Sequence, residues 1–299
     1  MGRLGSFLLV IKPRYPSRLF RRARALVLVA ILATTVLILL QLAPQRSSAV
    51  KGGTATPVSP SAPASVSTPP AGGNSLDASI DGVLAANSQY QVGVALLDLG
   101  SGSVQQYGVE APFEAASTAK VLTAVAYYKM VEAGEVSLDD PMGEYPAGFQ
   151  LQEMIQDSDN DSWALLADAV GHDTLRDDAA AMGVSYDPEA NTLTTAGMAR
   201  ILADLYEGKL LNQEHTQQLL SYMQDTNDED LIPAALPAGV SVFHKYGLLN
   251  GELHDAAILA TATRSVVLVI YTKGSDLSDV PQRTDVIHQI TAAVARTLT

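Results

Sequence analysis

The chain has 299 residues, 47% of them hydrophobic, with 19 basic and 32 acidic side chains, a net charge of −13 and no cysteine. That length holds one large domain or two small ones, and the lack of cysteine excludes disulfides, thiolate metal sites and a thiol nucleophile. Nine of the basic residues, Arg3 to Lys51, precede every acid, so the rest sets ten basic residues against 32 acids, a balance that argues against nucleic acid as partner.

The basic segment, residues 1–24, runs into Ala25–Ala43 (ALVLVAILATTVLILLQLA), an uncharged stretch long enough to cross a bilayer as a helix. Positive charge before it predicts a cytoplasmic N-terminus and a body sent outward, so the expected location is the cell membrane, single-pass, with the body extracytoplasmic. A cleaved signal peptide is the competing reading, with small residues at Ser47-Ser48-Ala49, but the apolar run exceeds the usual signal core. Pro44–Ser75, rich in Pro, Ser, Ala and Gly and without aromatics, reads as an extended linker.

The head, residues 76–299, opens with a predicted helix over Leu76–Asn87 that puts Ile80, Val83 and Leu84 on one side. Gln91–Asp98 and Ser103–Gly108 are predicted strands around the turn Leu99-Gly100-Ser101-Gly102. A helix starts at Ser117 and ends near Gly134; shorter ones follow at Leu151–Gln156, Ser162–Val170 and Leu175–Met182, then Thr195–Tyr206 and Gln213–Met223. Strands return at Val240–Lys245 and Leu253–Ala260, joined through the hairpin signal Asn250-Gly251, and at Ser265–Thr272. Thr284–Leu298 closes the chain as a helix. Strands at both ends with helices between them predict an α+β fold, one antiparallel sheet with a helical insert.

Ser117-Thr118-Ala119-Lys120 places a hydroxyl and an amine three residues apart, on one face of a helix start. Unpaired N–H groups there favour an oxyanion, and burial among Val121, Leu122 and Val125 pushes the Lys120 amine toward its neutral, basic form. A neutral amine beside a hydroxyl is a general base beside a nucleophile. A helix cap followed by a solvated lysine is the alternative; Ser48-Ala49-Val50-Lys51, in the linker, shows how cheaply the pattern arises.

Two further motifs follow in order: Ser158-Asp159-Asn160 between helical pieces, and Lys245-Tyr246-Gly247 at a strand end before the hairpin turn. Alone, the first could cap the helix Ser162–Val170 and the second could be an ordinary strand end. Together with Ser117 and Lys120 the chain resembles the penicillin-recognising serine hydrolases, the superfamily of class A β-lactamases and penicillin-binding proteins, over roughly Leu76–Thr299. The resemblance implies an antiparallel five-stranded sheet flanked by helices plus an all-α subdomain. It implies Ser117 as the acylated nucleophile, Lys120 as its proton acceptor or as the charge that lets another group take the proton, and Ser158 as the relay toward the leaving nitrogen. Asn160 would hold the substrate's amide side chain, and Lys245 its terminal carboxylate beside Tyr246. The backbone N–H groups of Ser117 and of Leu248, after Gly247, would form the oxyanion hole.

Departures bear on turnover. The family's deacylating glutamate sits in a long loop before Thr-Thr; here Met182–Leu193 is short, and its one glutamate, Glu189, lacks the Glu-x-x-x-Asn spacing and reads as a solvated acid. Tyr246 stands where most members carry Thr or Ser, and Glu252–Ala260 has no arginine. Counting across Asn250-Gly251 pairs Gly247 with His254, read as a structural histidine. His172, His215, His244 and His288 lack metal-ligand spacing, and no cofactor is expected. The expected function is a membrane-tethered serine hydrolase or acyltransferase on D-amino-acid cell-wall peptides, acylated slowly by β-lactams. The alternative is a binding module that kept the cleft and lost turnover.

Overall fold

The structure, a computed structural model, describes residues 75–298. The expected basic segment 1–24, membrane span 25–43 and linker, apart from Ser75, lie outside the described residues. No helix among the described residues is long and apolar enough to cross a membrane.

Helix α1 (Ser75–Ala86) leads into the hairpin β1 (Gln91–Asp98) and β2 (Val104–Gly108), a short strand β3 (Phe113–Glu114) and a 3-10 turn, Ala116–Ala119, continuous with α2 (Lys120–Glu132). A small ribbon, β4 (Pro141–Met142) and β5 (Tyr145–Pro146), precedes α3 (Ala147–Gln156), α4 (Asn160–Val170) and α5 (His172–Ala181). Strand β6 (Thr192–Leu193) pairs with β3, then come α6 (Thr195–Tyr206) and α7 (Gln213–Tyr222). The last stretch is β7 (Ser241–Leu249), β8 (Glu252–Ala260), β9 (Ser265–Lys273) and α8 (Val280–Ala295).

The large sheet is antiparallel with order β2-β1-β9-β8-β7, so strands from both ends of the head meet at β1 and β9 and β7 is left as an edge. The register counted from Asn250-Gly251 holds: Leu249 faces Glu252 and Gly247 faces His254. Because side chains alternate across a sheet, each strand feeds two cores. Ala95, Ala256, Ile258, Val267 and Val269 pack on the α2 and α6 side, against Val121, Leu122, Val125 and Leu202. Val94, Leu259, Leu268 and Ile270 pack on the other side against Ile80 of α1 and Ile287, Ile290 and Val294 of α8.

Helix α2 is buried on every face from Lys120 to Tyr128, which is why its sequence is apolar all round rather than striped. Truncating a fully buried side chain at its centre, Leu122→Ala, would cost about 2–5 kcal/mol through lost contacts and a cavity. The helix that carries the first motif is thus fixed by the core on all sides.

Candidate active site

Ser117 lies in the 3-10 turn and is half-buried, while Lys120, three residues on, begins α2. In a 3-10 turn residues i and i+3 eclipse, so the hydroxyl and the amine leave the backbone on one side. The residue before Ser117, Ala116, takes φ +48°, a left-handed conformation costly for alanine that persists only where neighbours enforce it. Asn191 supplies that enforcement: its side-chain amide donates to the Ala116 carbonyl at 3.0 Å and its own carbonyl accepts from the Ala115 N–H at 2.7 Å. Behind the turn, Thr118 Oγ1 donates to the Ala115 carbonyl at 2.7 Å, so its 2.6 Å contact with Tyr271 is one in which the phenol donates.

His254 stacks on Tyr271 with ring centres 4.2 Å apart, lies 2.9 Å from the Glu114 carbonyl through Nε2 and accepts the Thr272 N–H through Nδ1. Nδ1 therefore lacks the proton and Nε2 donates. Burial pushes its pKa down to about 4, so it stays neutral and braces the nucleophile turn from behind. This is the structural histidine the strand register implied.

Lys120 is fully buried, and its amine donates to Asn160 Oδ1 at 2.7 Å, to the Ser158 carbonyl at 2.8 Å and to Ser158 Oγ at 3.3 Å. It also lies 5.1 Å from the Trp163 ring centre. Burial lowers its pKa to about 8, against the opposing pull of Asp159. Ser117 is not among its acceptors, so the amine is oriented by the second motif rather than by the nucleophile.

The second motif divides its labour. Asp159 caps α4, its Oδ1 accepting the Ser162 N–H at 2.7 Å, so the helix-cap reading is right for the middle residue. Ser158 takes φ +56°, and its carbonyl and hydroxyl both meet Lys120. Asn160, the exposed first residue of α4, supplies the third contact.

Lys245 lies on edge strand β7, facing the same side as Gly247 and fully buried. Its amine donates to the Tyr246 carbonyl at 3.2 Å and lies 4.1 Å from the centre of the Tyr246 ring. Burial first, then the charge of Lys120, lowers its pKa to about 7, against the pull of Asp255 and Asp228. The amines of the first and third motifs are therefore close enough to repel each other. A Cβ placed on Gly247 would fall 3.0 Å from the Ser117 amide nitrogen, so glycine lets this strand approach the nucleophile turn without its neighbours having to give. A two-residue hairpin loop makes Leu249–Glu252 a hydrogen-bonded pair, which turns the N–H groups of the even-numbered residues of β7 away from β8. The His244 N–H, donating outward to Met223 at 2.8 Å, follows that rule, and so the Leu248 N–H faces outward on the Ser117 side.

Three features were not read from the sequence. The Asn191 brace is one. The second is His244, buried between Asp255 (2.9 Å) and Glu229 (3.1 Å). Burial alone would lower its pKa, but the two acids raise it to about 10, so the imidazolium ties the loop after α7 to the edge strand. Its partner was legible in principle: counting from Asn250-Gly251 sets His244 diagonal to Asp255 on one face. The third is Asn227, whose Oδ1 accepts the Tyr246 hydroxyl at 2.5 Å while its amide donates to the Asp157 carbonyl at 2.7 Å. Glu189 is exposed, on a loop turned by Asp187 Oδ1 accepting the Glu189 N–H at 2.9 Å.

A profile of the family described as the Beta-lactamase enzyme family matches residues 75–298. Among solved structures, PBP-A superposes with a TM-score of 0.69 at 23% identity, covering 75% of this chain and 96% of that one. A β-lactamase from Sphaerobacter thermophilus gives 0.65 at 23%, covering 75% and 96%. A variant of the last common ancestor of Gram-negative bacteria class A β-lactamase gives 0.68 at 25%, covering 74% and 98%. No curated protein sequence matches the chain.

Proposed function

The chain belongs to the beta-lactamase enzyme family, and from that premise we propose that it is an acyl-enzyme-forming serine hydrolase or acyltransferase, tethered outside the membrane and acting on D-amino-acid cell-wall peptides, with β-lactams as slow acylating agents. The observation that carries this reading is the environment of Lys120. A fully buried amine with its pKa lowered to about 8, one eclipsed turn from a serine hydroxyl, is poised to accept a proton near neutral pH.

In this mechanism Ser117 Oγ attacks the carbonyl carbon and its proton passes to Lys120 Nζ. The Lys120 bond most easily given up for this is the longest, to Ser158 Oγ. The carbonyl electrons collect on an oxygen held by the Ser117 and Leu248 N–H groups, each such donor being worth about 3 kcal/mol in the transition state. Ser158 passes a proton to the leaving nitrogen and is replenished from Lys120, the C–N bond breaks, and an ester on Ser117 remains. Water or an acceptor amine then releases the acyl group. Glu189, on its exposed loop, offers no buried base for that water, which favours slow deacylation. A related structure, a PBP-A variant captured as its acyl-enzyme complex with penicillin G, supports acylation as the retained step.

The Tyr246 ring against Lys245 favours a second reading, a cleft that binds without turnover. Incubating the protein with a fluorescent penicillin separates the two. A band labelled slowly and absent in Ser117→Ala supports the acyl-enzyme, while an unlabelled protein at high reagent concentration supports the binding module.

A further inference from the structure

Lys245 is fully buried on the edge strand, and an aromatic ring, not a carboxylate, faces it. The Tyr246 ring centre is 4.1 Å from Lys245 Nζ, and Lys245 has no exposed surface. The ring is held at its far end. Its hydroxyl donates to Asn227 Oδ1 at 2.5 Å. Asn227 is in turn tied to the second-motif loop, its N–H donating to the Gln156 carbonyl at 3.0 Å and its side-chain amide to the Asp157 carbonyl at 2.7 Å. The phenol thus forms a bar from the edge strand to the opposite loop. Asp157 and Asp228 lie near enough to act on it electrostatically, and Asp228 acts on Lys245 as well.

We infer that Tyr246 sets the substrate class of this cleft, closing the end at which a free carboxylate would meet Lys245, so that the acyl donors accepted carry an amide, an ester or a continuing peptide on the leaving-group side. This rests on the acyl-enzyme reading and narrows its substrate. A carboxylate would have to displace an aromatic ring held at its far end and settle in the field of Asp228, which already acts on Lys245. A neutral group gains nothing from Lys245 and so binds beside the ring without displacing it.

The test compares benzylpenicillin with its methyl ester, identical but for that charge, as non-covalent ligands of the full-length protein carrying Ser117→Ala. With Tyr246 in place the ester binds at least ~10-fold more tightly than the acid; after Tyr246→Thr the acid binds at least as tightly as the ester. Tyr246→Phe keeps the ring but frees its far end from Asn227, so its ester preference is smaller than with Tyr246. The inference is overturned if acid and ester bind alike with Tyr246 present, if Tyr246→Thr leaves their ratio unchanged, if Tyr246→Phe raises the preference, or if the acid does not bind the Thr variant. Failure of the acyl-enzyme reading looks different: neither compound then leaves a covalent adduct on the protein with Ser117 intact, whatever the binding ratio.

Discussion

Lys120 donates to Asn160 Oδ1 across 2.7 Å, joining the first residue of the nucleophile helix to the first residue of α4 and holding a buried amine between them. Burial rather than a neighbouring cation lowers the pKa of that amine to about 8. If Lys120 takes the proton of Ser117, acylation by an uncharged ester should rise with pH as one ionisation centred near 8. Lys120→Met should lower the rate by about 10²–10⁴-fold, the usual worth of a positioned base. Stopped-flow rates between pH 6 and 10 check this; a flat profile would remove Lys120 from the proton path.

Gly247 faces the same turn from the edge strand. Alanine there puts a methyl 3.0 Å from the Ser117 amide nitrogen and 3.0 Å from Ala116 Cβ, and the obstruction is backbone that cannot swing away. The neighbours must give by a few tenths of an ångström, so Gly247→Ala is expected to slow acylation by less than the ~10²-fold cost of a 1 Å misplacement, with the fold intact by circular dichroism. An unchanged rate would mean that the two N–H groups need not converge.

Asn191 bears on the opposite side of the turn. Asn191→Asp keeps the acceptor for Tyr186 but replaces the donor to the Ala116 carbonyl with an oxygen, leaving that carbonyl facing another acceptor. Urea unfolding should show a loss of about 1–3 kcal/mol, the cost of an unpaired buried polar group, and acylation should slow in parallel. Lost stability with an unchanged acylation rate would make the brace purely structural.

Lys245 offers a test by stability alone. Its pKa is lowered to about 7 by burial and by Lys120, whereas in the unfolded chain it titrates near 10.5. Below pH 7 both states hold the proton and the folded state bears the full cost, about 4–5 kcal/mol at ~1.4 kcal/mol per pH unit. Between pH 7 and 10.5 the folded protein has shed a proton that the unfolded chain still binds, so this contribution rises with pH. Lys245→Met should therefore stabilise the protein at pH 6 by several times its effect at pH 10, as read from urea midpoints. His244, protonated in the folded state up to about pH 10, is common to both proteins and cancels in the difference. Equal gains at the two pH values would mean that Lys245 is not held in a low-dielectric site.

Legibility in the sequence tracked the range of the forces involved. The β7–β8 register could be counted from Asn250-Gly251 because a two-residue turn and a period of two leave no freedom. The eclipse of Ser117 and Lys120 is local in the same way. The two-residue strands β3 to β6 are too short to show any alternation, and α3 starts at Ala147 rather than Leu151 because Pro146 can serve as its N-cap in extended backbone. The direction of Tyr246, the Asn191 brace and the role of Asn227 depend on groups 19 to 75 positions away along the chain, which no local pattern encodes.

The most direct measurement is the intact mass of the full-length protein after timed exposure to benzylpenicillin, with the adduct located by peptide mapping. The account predicts one acyl group, formed slowly, lost slowly, carried on Ser117 and absent from Ser117→Ala. An adduct on another residue, or none from benzylpenicillin or its methyl ester after prolonged exposure at high concentration, would contradict it.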